Sequence, residues 1–293
     1  VTFRGTYTAL VTPFRADGAL DLDALARLVE WQIESQVDGL VPCGSTGEAA
    51  TLSHAEHIQV VKHVVEVAAG RVPVIAGSGS NYTREAVELT REARRIGAEA
   101  ALLISPYYNK PTQDGIFHHY RTVAEETGMP LLLYNIPGRT GSRIESATSA
   151  RLSRLAGVIG LKECGGDLSA TAQTIAQCEP GFVVLSGDDA LTLPLLAIGA
   201  LGVISTTANL VPQQMGEITR AYLAGDTQRA RAVHYELLPL IEALFVESNP
   251  IPVKTALAIQ GRIPEATLRL PLTPLQKSNR DRLEAVLAEL PSK

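Results

Sequence analysis

The sequence predicts an α/β fold, a (β/α)8 TIM barrel with additional C-terminal helices. Eight short apolar runs recur along the chain, each closed by Gly, Pro, Ser, Thr or Asn. Amphipathic stretches of helical period separate them. The chain has 293 residues, long for one ordinary domain but a size that α/β barrels reach as a single unit.

The runs read "YTALVTP" near Tyr7, "GLVPCG" near Leu40, "VPVIAGSG" near Val74 and "AALLISP" near Leu102. They continue with "PLLLYNIP" near Leu132, "VIGLK" near Ile159, "FVVLSG" near Val184 and "GVIST" near Val203. Each holds four to six residues rich in Val, Ile and Leu. None shows polar alternation, which is the pattern of parallel strands buried on both faces.

The intervening helices carry their own signals. "DLDALARLVEWQIESQ" begins with Asp21 as N-cap. "SHAEHIQVVKHVVEVAAG" begins with Ser53 and has Glu56 three residues on, a capping box, and it stops at Gly70. "NYTREAVELTREARRIG" and "TQDGIFHHYRTVAEETG" stop at Gly97 and Gly128. Units of roughly equal length suit closure into a barrel better than an open doubly wound sheet, the alternative α/β arrangement. After Leu210 the pattern is helical to the end, more than one barrel helix requires. The barrel is therefore expected over residues 1–225, with a helical extension packed on it over 226–293.

Composition excludes several classes of function. About 45% of residues are apolar and 19% charged, the balance of a soluble globular protein. Net charge is −5 with Lys and Arg scattered, so neither nucleic acid nor an anionic membrane is an expected partner. Cys43, Cys164 and Cys178 lack CxxC spacing, which suggests reduced thiols of an intracellular protein rather than a disulfide framework or zinc knuckle. No run of about 18 apolar residues is present, and no signal peptide is visible. A cytoplasmic protein is expected.

In a TIM barrel the functional groups stand at the C-terminal ends of the strands. Those ends here read "VTP", "GSTGE", "GSGSN", "SPYYNKP", "YNIPGRTG", "KECGG", "SGDD" and "STTAN". "VIGLKECGGD" raises the sharpest question, because a buried strand ends in Lys162. Side chains alternate along a strand, so Lys162 shares a face with Gly160, which would leave room beneath the lysine stem. On the preceding strand Tyr134 shares a face with Leu132, so Tyr134 and Lys162 stand side by side if both point inward. Desolvation lowers a lysine pKa, and a neutral amine attacks carbonyls to form a Schiff base. Tyr134 would then relay protons. The competing reading is a lysine that snorkels to solvent and pairs with Glu163 or Asp188, beside an ordinary core tyrosine.

Other strand ends offer anion holders. "CGSTGE" (Cys43 to Glu48) is a turn rich in small residues whose N–H groups suit a small carboxylate, or simply a tight βα turn. It is not a Walker A loop. Arg139 in "GRTG" suits bidentate carboxylate binding, or is a surface-loop arginine. "GDD" (Gly187 to Asp189) suits either magnesium or the cap of the following helix, and a cap is the commoner use. His54 and His57 stand one helical turn apart, as a metal pair or as two solvated histidines. No third ligand is obvious, and no metal or cofactor is expected.

Taken together and in order, "GSTGE", "SPYYNKPTQ", "YNIPGRTG", "GLKE", "LSGDD", "GVISTTAN" and "NPIPVK" resemble the dihydrodipicolinate synthase family of Schiff-base, class I aldolase-type barrels. The resemblance spans nearly the whole chain. It implies a lyase that condenses pyruvate with L-aspartate 4-semialdehyde on the route to diaminopimelate and lysine. By that resemblance Lys162 carries the Schiff base and Tyr134 is the proton-relay tyrosine, with Thr46 and Tyr108 as its relay partners. The resemblance also has Tyr108 reach in from a neighbouring subunit, so a homo-oligomer is implied, usually a tetramer built as a dimer of dimers. Arg139 matches the holder of the aldehyde's carboxylate. Ser45 and Thr46 match the pair that holds the pyruvate carboxylate, and Gly187, Asp188 and the carbonyl of Ile204 line the same pocket. Ser45 stands where threonine is frequent, which predicts tuning rather than loss.

The same resemblance implies feedback inhibition by L-lysine at a dimer interface, through Ala49, His54, His57, Asn81, Glu85 and Tyr107. Ala49 replaces a serine seen in some members, so one contact is absent. The sister lyases for N-acetylneuraminate and keto-deoxy sugar acids share the lysine and tyrosine but usually lack "GRTG" after "YNIP". That difference favours the synthase over a sugar-acid aldolase. A metal-dependent aldolase and a non-catalytic barrel are less consistent with this residue set.

Overall fold

The structure, a computed structural model, describes residues 3–290. Eight parallel strands alternate with helices. The strands are β1 (Gly5–Ala9), β2 (Gly39–Val41), β3 (Ile75–Gly77), β4 (Ala100–Ile104), β5 (Leu131–Asn135), β6 (Val158–Glu163), β7 (Val183–Ser186) and β8 (Gly202–Ser205). They pair in the order β2-β1-β8-β7-β6-β5-β4-β3. A parallel bridge between Leu40 and Val74, with Leu40 N–H donating to the Pro73 carbonyl at 3.0 Å, joins the two ends and closes the barrel.

Each expected run contains a strand, but β2 and β3 are only three residues long, shorter than the run length predicts. At β2 the reason is local. Pro42 has no N–H to give the ladder, and Cys43 turns left-handed at φ 56°.

Four long helices follow β1 to β4: α1 (Leu22–Glu34), α2 (His54–Ala68), α3 (Thr83–Ile96) and α4 (Gln113–Thr127). Asp21 caps α1 by accepting from Ala24 N–H, and Ser53 with Glu56 forms the capping box of α2. Gly97 and Gly128 end α3 and α4 in the left-handed conformation. At the end of α2, Ala69 takes the left-handed cap one residue before Gly70. Shorter pieces follow: α5 (Pro137–Thr140), α6 (Ser146–Ser153), α7 (Leu168–Gln177) and α8 (Thr192–Ala197).

Beyond β8 come α9 (Pro212–Leu223), α10 (Thr227–Leu244), α11 (Ile251–Ile259) and α12 (Lys277–Glu289). The helical pattern does not run unbroken, because residues 260–276 form turns and irregular chain between α11 and α12. Gly261, Pro264, Pro271 and Pro274 explain the break. Residues 291–293, the last of the expected extension, lie outside the described residues.

Alternation along the strands divides the core in two. Ala100, Leu102, Leu132, Tyr134, Leu185 and Ile204 fill the barrel interior, whereas Ala101, Leu103, Leu131, Leu133 and Val184 pack outward against the helices. A third cluster joins α9 to α12 with Val11, Leu28 and Val203 of the barrel. Among the described residues no helix is long and apolar enough to cross a membrane.

Candidate active site

The register of β5 and β6 pairs Tyr134 with Lys162 at the C-terminal ends of adjacent strands. Both side chains face the interior, and both are buried, at 5% and 6% exposure. The lysine Nζ stands 4.3 Å from the centroid of the tyrosine ring. Among the described residues no carboxylate lies within ion-pair distance of it.

The two acids proposed as its partners are engaged elsewhere. Glu163 points to the opposite face, where it accepts from Asn135 Nδ2 at 3.1 and 3.0 Å and from Gly165 N–H. Asp188 caps the short 3-10 turn Asp189–Leu191, accepting from Ala190 N–H at 3.0 Å. The snorkelling reading therefore fails on burial and on partners alike. Desolvation pushes the Lys162 pKa below the ordinary lysine value, against smaller opposing effects of Cys164 and Asp189.

Room for the lysine comes from a glycine other than the expected one. A Cβ on Gly160 would meet the Val183 carbonyl and Leu132, not the lysine. A Cβ on Gly187 would collide with Cys164 Sγ and stand 2.6 Å from Lys162 Cε. Gly187, on the loop after β7, is the residue whose missing side chain admits the stem.

The Tyr134 hydroxyl lies near Ser45 and Cys164. Burial holds its pKa well above the ordinary phenol value, so it is a neutral donor at physiological pH. Cys164 is raised to about 12, also by burial. Thr46, expected beside the tyrosine, instead bonds Thr206 Oγ1 at 3.2 Å and accepts from Asn249 Nδ2 at 2.8 Å.

The turn that carries Ser45 and Thr46 runs from Cys43 to Glu48, and both of those end residues are left-handed, at φ 56° and 53°. Within the described residues neither the Ser45 nor the Thr46 N–H donates to another group of the chain. Such a pair suits a carboxylate. Arg139 extends from α5, is solvent-exposed, and donates from Nη2 to the Asn249 carbonyl at 2.8 Å. Ile204 is buried on β8 and faces the interior. Asp189 accepts from Thr206 N–H, Thr207 N–H and the Thr207 hydroxyl at 3.1, 2.8 and 2.7 Å, which fixes the loop after β8. "GDD" thus acts as cap and brace, and among the described residues no three His, Cys, Asp or Glu side chains cluster as a metal set.

Tyr108 stands apart from this group, 88% exposed and left-handed at φ 70°. A cavity of about 400 Å³ is lined by Ser45, Tyr134, Arg139 and Asn249, and also by Ala49, His54, His57, Glu85 and Tyr107. The two histidines differ sharply. His54 is exposed and pairs with Glu85 at 2.6 Å, while His57 is buried and donates to the Gly77 carbonyl at 2.6 Å. A solvated pair is correct for His54 only, because the His57 ring packs between α2 and β3. A hydrogen bond from Ser80, then the one from His54, holds the Glu85 carboxyl below its usual range despite partial burial. Asn81 Nδ2 donates to the Tyr107 carbonyl at 3.1 Å.

Sequence reasoning missed Cys164, Asn249, Thr206 and Lys254 as parts of this region. Strand alternation alone places Cys164 on the side of Lys162, so that one was available. Thr206 stands in the strand end "STTAN" and Asn249 opens "NPIPVK", but neither stretch says that its side chain meets Thr46.

The family model described as the dihydrodipicolinate synthetase family matches residues 2–290. A 4-hydroxy-tetrahydrodipicolinate synthase of Nitratidesulfovibrio vulgaris strain Miyazaki F is 54% identical over 287 residues, 98% of each chain. The crystal structure of dihydrodipicolinate synthase from Aquifex aeolicus superposes with a TM-score of 0.96 at 44% identity, covering 98% of each chain. A dihydrodipicolinate synthase from Cyanidioschyzon merolae, solved with lysine bound, gives a TM-score of 0.95 at 38% identity over 98% of each chain.

Proposed function

The chain belongs to the dihydrodipicolinate synthetase family, and from that premise we propose how its own residues perform the family's chemistry. It is a lyase-type enzyme, a 4-hydroxy-tetrahydrodipicolinate synthase that condenses pyruvate with L-aspartate 4-semialdehyde. The observation that supports our assignment of roles is a buried lysine without a carboxylate partner, held against a tyrosine on the adjacent strand.

Lys162 Nζ, whose charged form desolvation disfavours, attacks C2 of pyruvate as the free amine, and loss of water leaves an iminium. The iminium draws electrons from C3, which loses a proton and becomes an enamine carbon. That carbon attacks the aldehyde of the second substrate and forms the new carbon–carbon bond. The substrate's own amine then displaces Lys162 from C2, closing the ring and freeing the enzyme. Tyr134 supplies and recovers the protons, with Ser45 near its hydroxyl and Tyr108 as a further relay partner, while Thr46, bonded to Thr206 and Asn249, takes no part in the relay. The Ser45–Thr46 turn holds the pyruvate carboxylate. Gly187, Asp188 and the Ile204 carbonyl line that end. Arg139 holds the carboxylate of the aldehyde.

The finer assembly belongs to the same proposal. Tyr108 projects from its own barrel, as a residue completing a neighbour's relay would, so we assign a homo-oligomer, a tetramer built as a dimer of dimers. L-Lysine is the proposed effector, its ammonium on the Glu85 carboxylate, with Asn81, Tyr107, His54, His57 and Ala49 around it. A cytoplasmic place of action fits three unpaired thiols, one of them beside the reactive lysine.

The test is turnover of pyruvate with L-aspartate 4-semialdehyde, coupled to a dihydrodipicolinate reductase and followed by NADPH loss. Lys162→Ala is expected to abolish turnover with the fold intact by circular dichroism. Borohydride should trap pyruvate on Lys162 of the wild type. Activity retained in Lys162→Ala would overturn the Schiff-base assignment. Trapping without turnover would keep the lysine chemistry and shift the aldehyde to a sugar acid.

A further inference from the structure

Residues 249–254 reach the site from the C-terminal extension and touch both proposed carboxylate holders. Asn249 Nδ2 donates to Thr46 Oγ1 at 2.8 Å, and the Asn249 carbonyl accepts from Arg139 Nη2 at 2.8 Å. One turn into α11, Lys254 Nζ meets Glu48 Oε1 at 2.6 Å, with side-chain exposures of 0% and 1%. The second Glu48 oxygen accepts from Arg269 N–H at 3.2 Å, and the Lys254 ammonium lies 4.2 Å from the Phe14 ring centroid.

Glu48 closes the Ser45–Thr46 turn in a left-handed conformation that a non-glycine residue holds only when its surroundings over-determine it. Here the surroundings are Lys254 and Arg269. A buried ion pair contributes little stability over a well-packed apolar pair, so stability alone is a poor reason for this one. Fixing a position is a better reason.

We propose that Lys254 and Glu48 are positioning residues. Together with Asn249 they form a clamp through which the C-terminal extension sets the pyruvate-holding turn relative to Arg139. Neither charged group touches the reacting atoms. The proposal rests on the reading that the Ser45–Thr46 turn holds the pyruvate carboxylate.

Two variants test it, Lys254→Met and the double variant Glu48→Gln with Lys254→Met. The readouts are KM for pyruvate, kcat at saturating pyruvate, the pyruvate concentration that half-saturates borohydride trapping, and the melting temperature. Lys254→Met leaves a buried carboxylate unpaired, so it should melt lower than wild type, and KM for pyruvate should rise about tenfold or more with kcat within about threefold. The double variant carries no unpaired charge, so its melting temperature should recover while its KM stays raised. If Lys254→Met alone does not fold, the double variant gives the reading by itself. A double variant that half-saturates at the wild-type pyruvate concentration would overturn the clamp and leave the pair a structural feature only. Failure of the wild type to trap pyruvate would instead overturn the Schiff-base reading, so the two failures are distinguishable.

Discussion

Lys162 and Tyr134 divide the labour through burial. The lysine loses solvent and gains no carboxylate, so its charged form is the one disfavoured. The tyrosine loses solvent too, and its neutral form is favoured. One apolar environment therefore shifts the lysine toward its free amine and keeps the phenol neutral beside it. Because the amine is the reactive form, formation of the pyruvate adduct should fall as pH drops, with a midpoint below the ordinary lysine value of 10.5. Cyanoborohydride capture followed by mass spectrometry across about pH 6 to 10 measures it. A midpoint at the ordinary value would refute desolvation as the activating force. The same shift has a stability consequence. Below 10.5 the unfolded chain binds the proton more readily than the folded one, so this group's destabilising effect lessens as pH rises toward 10.5. Lys162→Met, which carries no such proton, should melt at or above the wild-type temperature at neutral pH.

At the scale of elements, α2 links local signals to the site. Its capping box is read directly from Ser53 and Glu56, yet Glu56 does more than cap. Arg269 donates to its two carboxylate oxygens at 2.9 and 2.5 Å and lowers its pKa to about 2. The irregular stretch between α11 and α12, expected as helix, is therefore the strap that ties the extension to α2. Ser53→Ala should remove a cap contribution of about 1 kcal/mol. Its denaturation midpoint should fall while KM for pyruvate stays at the wild-type value. A change in KM instead would mean that α2 positions the turn directly. Helix starts and stops were legible because their causes are local: Asp21, Ser53, Gly97 and Gly128 act within one turn of their own positions. The strap was not, because its partners lie more than 200 residues away.

At the scale of the molecule, one cavity joins Ala49, His54, His57, Glu85 and Tyr107 of the proposed effector set to Tyr134 and Arg139. Glu85 is the charged group in it suited to an ammonium, held ionised by Ser80 and His54. L-Lysine at millimolar concentration should lower the rate, and Glu85→Ala should relieve that inhibition with the uninhibited rate retained. Equal rates with and without lysine in the wild type would remove the effector assignment. The relay role proposed for Tyr108, which is exposed on its own barrel, requires a neighbouring subunit, so sedimentation of the intact protein should show an oligomer, and a monomer that turns over at full rate would remove that role.

The sequence by itself determined the class of fold, the order of its elements and the placement of Lys162 beside Tyr134. Those properties follow from short-range rules: period two along strands, apolar period along helices, small residues at turns, and parallel register that sets Tyr134 beside Lys162. Only the tertiary structure decided which glycine makes room for the lysine, that Ser45 rather than Thr46 stands at the tyrosine, and that Asn249 and Lys254 brace the turn. Each of these depends on side chains brought together from strands and loops far apart in the chain. Barrel closure sets those distances, and no local pattern encodes them.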